Sequence, residues 1–94
     1  MALAQHSVVT EDARVIVNRF DFAPGDETGH HTHALPYIIV PLCDGRVRVT
    51  DASGGESHAD MVKDVPYSRP AGVSHNVINA ADTALSFLEI EMKS

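Results

Sequence analysis

Apolar and polar residues alternate with a period of two along most of the chain, and no segment shows the longer period of an amphipathic helix. This alternation predicts short β-strands, and the turn residues between them predict frequent reversals of the chain. The predicted strands cover residues 14–22, 29–33, 37–43, 46–50, 57–62, 75–79 and 85–92, and a further short strand carries Tyr67 and Arg69 on one face. About eight strands without a helix predict an all-β sandwich or barrel.

Two features of residues 37–43 go beyond this general pattern. Asp44 and Gly45 follow the segment and precede the next predicted strand, and Asp-Gly between two strand-like segments predicts a β-hairpin. The segment is also apolar on both faces, whereas a strand at the surface of an isolated barrel has a polar outer face. We therefore expect its outer face to be covered, by a second subunit or by the N-terminal segment.

The last predicted strand, residues 85–92, separates its aliphatic and acidic side chains. Leu88, Ile90 and Met92 form one set, and Glu89 and Glu91 form the other. Side chains two residues apart on a strand point the same way, so the two sets occupy opposite faces.

The composition predicts one small domain, residues 1–94. A chain of 94 residues is long enough for a single modest hydrophobic core. Its formal net charge is −6, and its seven basic residues are scattered along the sequence rather than clustered. This distribution argues against nucleic acid and against an anionic membrane surface as partners.

Three negative observations predict the cellular compartment. Cys43 is the only cysteine, so no disulfide can form within the chain, and a reducing compartment is expected. The first ten residues lack the basic and apolar regions of a signal peptide. No apolar segment reaches the roughly 20 residues that a membrane-spanning helix needs. We therefore expect a soluble, cytoplasmic protein.

Two of the six histidines, His31 and His33, have the spacing of alternate residues on a strand. Such residues point the same way with Cα atoms about 6.6 Å apart, so their imidazoles can share one metal ion. His30 belongs to the opposite set of the alternation and is expected to face away. His-X-His alone is a weak signal, because a pair of polar residues on a solvated strand also explains it.

Two longer segments give these histidines a context. Residues 25–33 contain a Gly, five residues and His-X-His, and residues 70–79 contain Pro-X-Gly, two residues, His75, three residues and Asn79. In this order they resemble the two sequence motifs of the cupin family, and in particular a subgroup of minimal bacterial cupins, some of which are called β-alanine degradation proteins. The resemblance implies a jelly-roll or double-stranded β-helix barrel. It also implies one divalent metal ion bound by His31, His33 and His75.

The sequence departs from the cupin pattern at two positions. The first motif usually supplies a Glu as a fourth metal ligand, and that position aligns with Tyr37. No acidic residue lies between His33 and Asp44. The Gly that usually opens the second motif aligns with Asp64, and we expect this change of turn residue to have little effect.

A site of three neutral imidazoles without a carboxylate has open coordination positions for water or substrate. It favours an anionic or enolisable substrate, because no ligand charge offsets the ion, and it acidifies a bound water as in three-histidine zinc hydratases. Three imidazoles accept Zn, Ni, Fe, Mn or Cu and do not choose among them.

Three further residues are candidates for chemistry beside such an ion. Tyr37 is a distant ligand, a hydrogen-bond donor to a bound anion or an acid–base group, or else a core aromatic residue with its hydroxyl satisfied. If the strand face that Arg69 shares with Tyr67 lies inside the barrel, Arg69 binds a substrate carboxylate. Otherwise Arg69 is a surface residue beside the turn at Pro70.

The other polar candidates have weaker patterns. Asn79 closes the second motif and is expected to be structural, and Cys43 is expected to be a small buried hydrophobic residue because no base is identifiable beside it. His6 and His58 have no partner in the pattern and stay unassigned.

Three functions are compatible with the sequence. The first is a metal-dependent enzyme that acts on a small organic acid or carbonyl compound in catabolism, with a carboxylate as the expected kind of substrate. The second is a non-catalytic protein that binds a metal or a small anion, or an accessory to a catabolic pathway. The third is a purely structural barrel whose histidines bind nothing. In each case we expect a homodimer.

Overall fold

In a computed structural model, residues 2–93 are described and form nine β-strands. They are β1 (Gln5–Glu11), β2 (Val15–Phe22), β3 (His31–Thr32), β4 (Tyr37–Pro41), β5 (Gly45–Asp51), β6 (Glu56–Met61), β7 (Tyr67–Arg69), β8 (Ser74–Asn79) and β9 (Leu85–Met92). Of the predicted domain, Met1 and Ser94 lie outside the described residues. Within them, no helix is long and apolar enough to cross a membrane.

The strands form two antiparallel sheets, one with the order β1-β2-β9-β4-β7 and one with the order β3-β8-β5-β6. The long predicted strands are confirmed to within two residues at each end, whereas β1 was not predicted. The chain crosses repeatedly between the sheets, so most neighbouring strands are distant in sequence, such as β2 and β9. The all-β architecture expected from the period-two pattern is thereby confirmed.

The hydrophobic core lies between the two sheets and is most apolar at one end of the barrel. Three phenylalanines, Phe20, Phe22 and Phe87, pack there with ring centroids 5.4–6.4 Å apart. Leu85 is completely buried beside them. The opposite end of the barrel interior carries polar side chains, because the inward-facing positions of β3, β8 and the far end of β9 are His and Glu residues.

The hairpin predicted at Asp44-Gly45 is wrong. β4 and β5 lie in different sheets, so the chain crosses between sheets at this point. Gly45 is not among the residues with positive φ, which the central positions of a type I′ hairpin need. A glycine is needed here because there is no room for a side chain: a Cβ atom at this position would lie 2.6 Å from Cδ1 of Leu85. The backbone N–H of Lys63 donates to the Asp44 carboxylate at 2.8 Å and fixes the crossing.

The outer face of the five-stranded sheet is aliphatic, as expected from residues 37–43. Ile38 and Val40 of β4 pair with Ile90 and Leu88 of β9, and all four residues are half-buried. The N-terminal segment does not cover them, because β1 extends the edge of the sheet by pairing with β2. Of the two covers expected from the sequence, the N-terminal segment is therefore excluded.

Candidate metal centre

Three histidines from neighbouring segments converge at the polar end of the barrel. His31 in β3 is the direct cross-strand neighbour of His75 in β8. His33 follows β3, and its N–H donates to the Val73 carbonyl at 2.8 Å while its carbonyl accepts from the Gly72 N–H at 2.7 Å. These backbone bonds extend the pairing beyond β3 and turn all three imidazoles toward one point.

The Nε2 atoms of the three rings lie close together. Nε2 of His33 is 3.0 Å from Nε2 of His31 and 3.2 Å from Nε2 of His75. Nδ1 of His31 is 2.8 Å from the Gly29 carbonyl and donates to it, which leaves a lone pair on its Nε2. Metal–nitrogen bonds of about 2.0–2.1 Å place two ligand nitrogens about 3.3 Å apart in a tetrahedral site. The observed spacing and donor set therefore fit one divalent ion.

The protonation of the cluster also suits metal binding. Burial is the main cause that lowers the pKa of His33, and the charge of His31 adds to it. Burial lowers the pKa of His75 to about 4, with further contributions from His31 and His33. Both rings are therefore neutral at pH 7, and the neutral imidazole is the form that binds a metal.

Tyr37 stacks on His33, with ring centroids 3.8 Å apart and an angle of 21° between the ring planes. Tyr37 is 2% exposed, and its buried hydroxyl has no hydrogen-bond partner among the described residues. The interpretation of Tyr37 as a core aromatic residue is therefore confirmed, but its hydroxyl is not satisfied as that interpretation expected. Burial raises the pKa of Tyr37 to about 12, so its hydroxyl is a neutral donor.

A cavity of 480 Å³, named here cavity A, opens beside the cluster and is lined by all three histidines, Tyr37, Tyr67 and Arg69. Arg69 is the cross-strand neighbour of Tyr37, and its Cζ lies 5.8 Å from the ring centroid of Tyr67. Arg69 is exposed and is therefore a surface residue. It also lines cavity A, at its opening.

Sequence analysis missed Glu89 as a site residue. Glu89 is 6% exposed, points inward on β9 with Leu85 and Phe87, and lines cavity A. Burial is the main cause that raises its pKa to about 8, and the carboxyl of Glu91 adds to the shift while Asn18 opposes it. A signal was present in the sequence, since residues 85, 87 and 89 have the same parity on one strand.

A second cavity of 570 Å³, named here cavity B, lies on the other side of the cluster. Cavities A and B share Thr28, His31, His33 and Glu89. Most of the remaining lining of cavity B comes from β1, β2 and the far end of β9. The histidine cluster and Glu89 therefore lie between two cavities.

Two of the remaining candidates, as predicted, are not part of the histidine cluster. His30 is exposed, and its Nε2 lies 3.0 Å from the Ser74 hydroxyl, so it faces away from the cluster as predicted. Asn79 is buried, and its Nδ2 donates to the Thr83 carbonyl at 2.9 Å, which makes it a structural residue of the following loop. Cys43 is half-buried at the end of β4.

The unassigned histidines and Asp64 also have defined places. His6 stacks on Phe20 with ring centroids 4.8 Å apart, and its Nε2 lies 2.7 Å from Oδ1 of Asn18. His58 is exposed on β6 and lines cavity A. Asp64 has a φ of 64°, so the position that aligns with a motif glycine keeps the left-handed backbone that glycine adopts readily.

Comparison with known proteins agrees with this architecture, although no protein-family model matches the chain. The chain is 45% identical over 87 residues to the β-alanine degradation protein BauB of Pseudomonas aeruginosa, covering 93% of this chain and 90% of that protein. A cupin domain of Bordetella pertussis superposes with a TM-score of 0.94 at 39% identity, over 99% of this chain and 96% of that one.

A more distant structure shows the breadth of the fold. A protein of Klebsiella pneumoniae with a double-stranded β-helix domain superposes with a TM-score of 0.77 at 19% identity, over 96% of this chain and 76% of that one. The two sheets described above are thus the double-stranded β-helix of the cupins. The chain belongs to the cupin family that includes BauB.

Proposed function

We propose that the protein is a metal-dependent enzyme of catabolism that acts on a small organic acid or carbonyl compound. The observation that carries the proposal is the convergence of His31, His33 and His75 beside a cavity that Tyr37 also lines, while the buried hydroxyl of Tyr37 has no partner among the described residues. Three protein ligands leave coordination positions open, as in catalytic rather than structural metal sites. A buried donor without a partner beside such positions is explained if a ligand completes the site.

The three histidines would hold one divalent ion, which is Fe, Ni, Zn or Mn, since three imidazoles do not discriminate among them. When bound, the ion supplies positive charge that polarises an oxygen atom of the substrate or acidifies a water. Tyr37 stands where a cupin usually has its ligating Glu, so no ligand charge offsets the ion. This favours an anionic substrate over a neutral one.

Tyr37 acts in this proposal as a hydrogen-bond donor. Its pKa of about 12 keeps the hydroxyl protonated at neutral pH, which suits a donor better than a general base. The stacking on His33 restricts the movement of the Tyr37 ring, which lines cavity A. A donor held in place in this way stabilises an oxyanion more than a mobile one does.

Arg69 and Tyr67 would bind the substrate at the opening of cavity A. The guanidinium of Arg69 offers two parallel donors to a carboxylate, and its position over the Tyr67 ring restricts its movement. Since Arg69 is exposed, we assign it to capture and orientation of the substrate rather than to the reacting atoms.

The name of the curated relative supports a substrate of this kind. BauB is named for the degradation of β-alanine, a small amino acid with a carboxylate. Cavity A, at 480 Å³, accommodates such a molecule. Small carboxylates related to β-alanine are therefore the first candidates.

The test compares untagged protein loaded with each candidate metal against chelated protein, with turnover measured on a panel of small organic acids and carbonyl compounds that includes β-alanine. We expect turnover by the metal-loaded form alone and its loss in His75→Ala. Equal turnover by both forms contradicts the proposal. Binding of metal and acid without turnover by any form favours the alternative, a non-catalytic binding or accessory protein.

We also propose that the protein is a cytoplasmic homodimer whose subunits meet at the outer face of β4 and β9. Ile38, Val40, Leu88 and Ile90 form a half-buried aliphatic surface there, and burying it contributes about 25 cal/mol per Å². Sedimentation of Val40→Lys should show a monomer. Val65→Lys, which changes a residue that is 56% exposed outside this surface, should remain a dimer. An unchanged mass for Val40→Lys would exclude this interface.

A further inference from the structure

Two glutamates face the histidine cluster from the inner side of the five-stranded sheet. In the strand register, Glu89 lies between Ile39 and Asn18, and Glu91 is the neighbour of Tyr37. Cross-strand neighbours on one face have Cβ atoms about 4.5–5.5 Å apart. The two carboxyls and the Asn18 amide therefore form one polar group inside the barrel.

The two carboxyls of this group differ in their contacts. Nδ2 of Asn18 donates to Oε1 of Glu91 at 3.2 Å, and Oδ1 of the same amide lies 2.7 Å from Nε2 of His6. Glu91 is thus held as an acceptor. Glu89 is 6% exposed, and burial is the main cause that raises its pKa to about 8, with the neighbouring Glu91 carboxyl adding to the shift. At pH 7 the Glu89 carboxyl is therefore mainly protonated.

A second observation indicates that a ligand completes this region. The hydroxyl of Tyr37 is buried without a partner, and Tyr37 lines cavity A together with Glu89. Glu89 also lines cavity B, and His31 and His33 are common to both cavities. Glu89 therefore lines both of the spaces from which a small molecule can reach His31 and His33.

We propose that Glu89 is the acid–base residue of the site, which donates a proton to the ligand held at the histidine cluster and takes it back, while Glu91 and Asn18 position it. The inference rests on the proposed function, because it assigns the proton transfer of that same site. It also supplies the acidic residue that the first cupin motif lacks, but from the last strand and as a proton carrier rather than a metal ligand.

The step is a proton transfer without a change of oxidation state. The O–H bond of the Glu89 carboxyl breaks, a new bond forms between the proton and an oxygen or carbon atom of the ligand, and Glu89 keeps the electron pair as a carboxylate. Transfer in the opposite direction restores the starting state. A carboxyl whose pKa lies near the working pH is suited to both directions.

Other titratable groups face Glu89 and influence its proton. The titratable group on the same strand is Glu91. The titratable residues that line the two cavities from other parts of the chain are His6, Glu11, His31, His33, Tyr37, His58, Asp60, Tyr67, Arg69 and His75. Of these groups, Glu91 is the one that adds to the raised pKa of Glu89. A test must therefore separate Glu89 from Glu91.

The first experiment locates the proton by infrared spectroscopy of the full chain without metal. We expect the band of a protonated carboxyl at pH 7, its loss as the pH rises through about 8, and its absence in Glu89→Gln. Glu91→Gln should keep the band but lose it at a lower pH, because the neighbouring carboxyl no longer opposes ionisation. Glu56→Gln, at an exposed position on β6, should match the unchanged protein. A band that persists in Glu89→Gln overturns the proposal, as does its absence from the unchanged protein.

The second experiment measures proton exchange with a ligand. The Zn²⁺-loaded protein is titrated with acetate at pH 8 by calorimetry in buffers of different protonation enthalpy. We expect the unchanged protein to take up more protons than Glu89→Gln, by up to about half a proton per acetate, because Glu89 is about half protonated at pH 8 and an anion beside it favours its protonated form. Equal uptake overturns the proposal. Failure of the unchanged protein to bind Zn²⁺ or acetate contradicts the proposed function instead, and the infrared band still decides where the proton lies.

Discussion

The ring of Tyr37 lies almost parallel to the ring of His33 at a centroid distance of 3.8 Å, although cupins usually place a carboxylate at this position of the first motif. Compared with that pattern, Tyr37 brings no negative charge to the histidine cluster and gives one of its histidines an aromatic support. It also leaves a buried hydroxyl without a partner. The site therefore differs from a His₃Glu site in charge and in its hydrogen-bonding capacity.

Tyr37→Phe should have opposite effects on stability and on ligand binding. Loss of an unsatisfied buried hydroxyl should stabilise the metal-free protein by about 1 kcal/mol in urea unfolding. Loss of the donor should weaken acetate binding to the Zn²⁺-loaded protein by about tenfold or more in calorimetry. Tyr67→Phe, at the cavity opening, is the control for removal of a hydroxyl. Unchanged acetate affinity in Tyr37→Phe would show that the hydroxyl does not contact the anion.

Zn²⁺ should raise the melting temperature through His75 but not through His30. At a free metal concentration of 100 times the dissociation constant, the linked stabilisation is about 2.7 kcal/mol, which for a domain of this size corresponds to roughly 10–20 °C. His75→Ala should abolish the shift measured by differential scanning calorimetry. His30→Ala should retain it, since His30 faces Ser74. Retention of the full shift in His75→Ala would contradict the three-histidine site.

Metal should remain bound at a lower pH than ordinary histidines allow. The sequence alone predicts a loss of affinity as the pH falls through roughly 6.5, the reference value for histidine. The lowered pKa values of His33 and His75, about 4 for the latter, move the competition from protons below that range. Zn²⁺ titrations should therefore show little loss between pH 7 and pH 6 and a steep loss nearer pH 4. A midpoint at pH 6.5 would show that these two rings are not desolvated in solution.

Gly45→Ala should destabilise the protein by about 1–3 kcal/mol, because the new Cβ overlaps the buried side chain of Leu85. Urea unfolding measures the effect. The control is the same change in a Leu85→Ala background, where the overlap is absent and the loss should be smaller. Equal losses in both backgrounds would mean that Gly45 is needed for its backbone conformation and not for space.

The period-two pattern predicted the strands well because burial of one face is a local property of the sequence. It failed at Asp44-Gly45, where the local signal is that of a hairpin but β5 finds its partners in the other sheet. Strand order is decided by contacts between distant residues, such as β2 with β9, and no local window contains that information. The strand β1 was not predicted because all of its residues are exposed. Without a buried face, its sequence does not show the alternation of apolar and polar residues that identifies a strand.

The histidine cluster could be assembled from the sequence because each of its histidines stands in a motif with fixed spacing. Glu89 could not be found in that way. It belongs to no motif, and its importance arises from burial beside Glu91 and Asn18, which only the register of β2, β9 and β4 establishes. For Arg69 the sequence posed interior against surface. The surface alternative is confirmed, because Arg69 is exposed, but the sequence did not indicate that a surface residue also lines a cavity.

The histidine cluster forms part of the wall that cavities A and B share. Two reactants can therefore approach the same centre along separate routes, one past Arg69 and the other past Val8 and Phe20. An inhibitor that fills the opening of one cavity should leave the other cavity accessible to a molecule as small as water. Blockade by a bulky compound on the Arg69 side should thus suppress binding of the acid while solvent still exchanges at the centre.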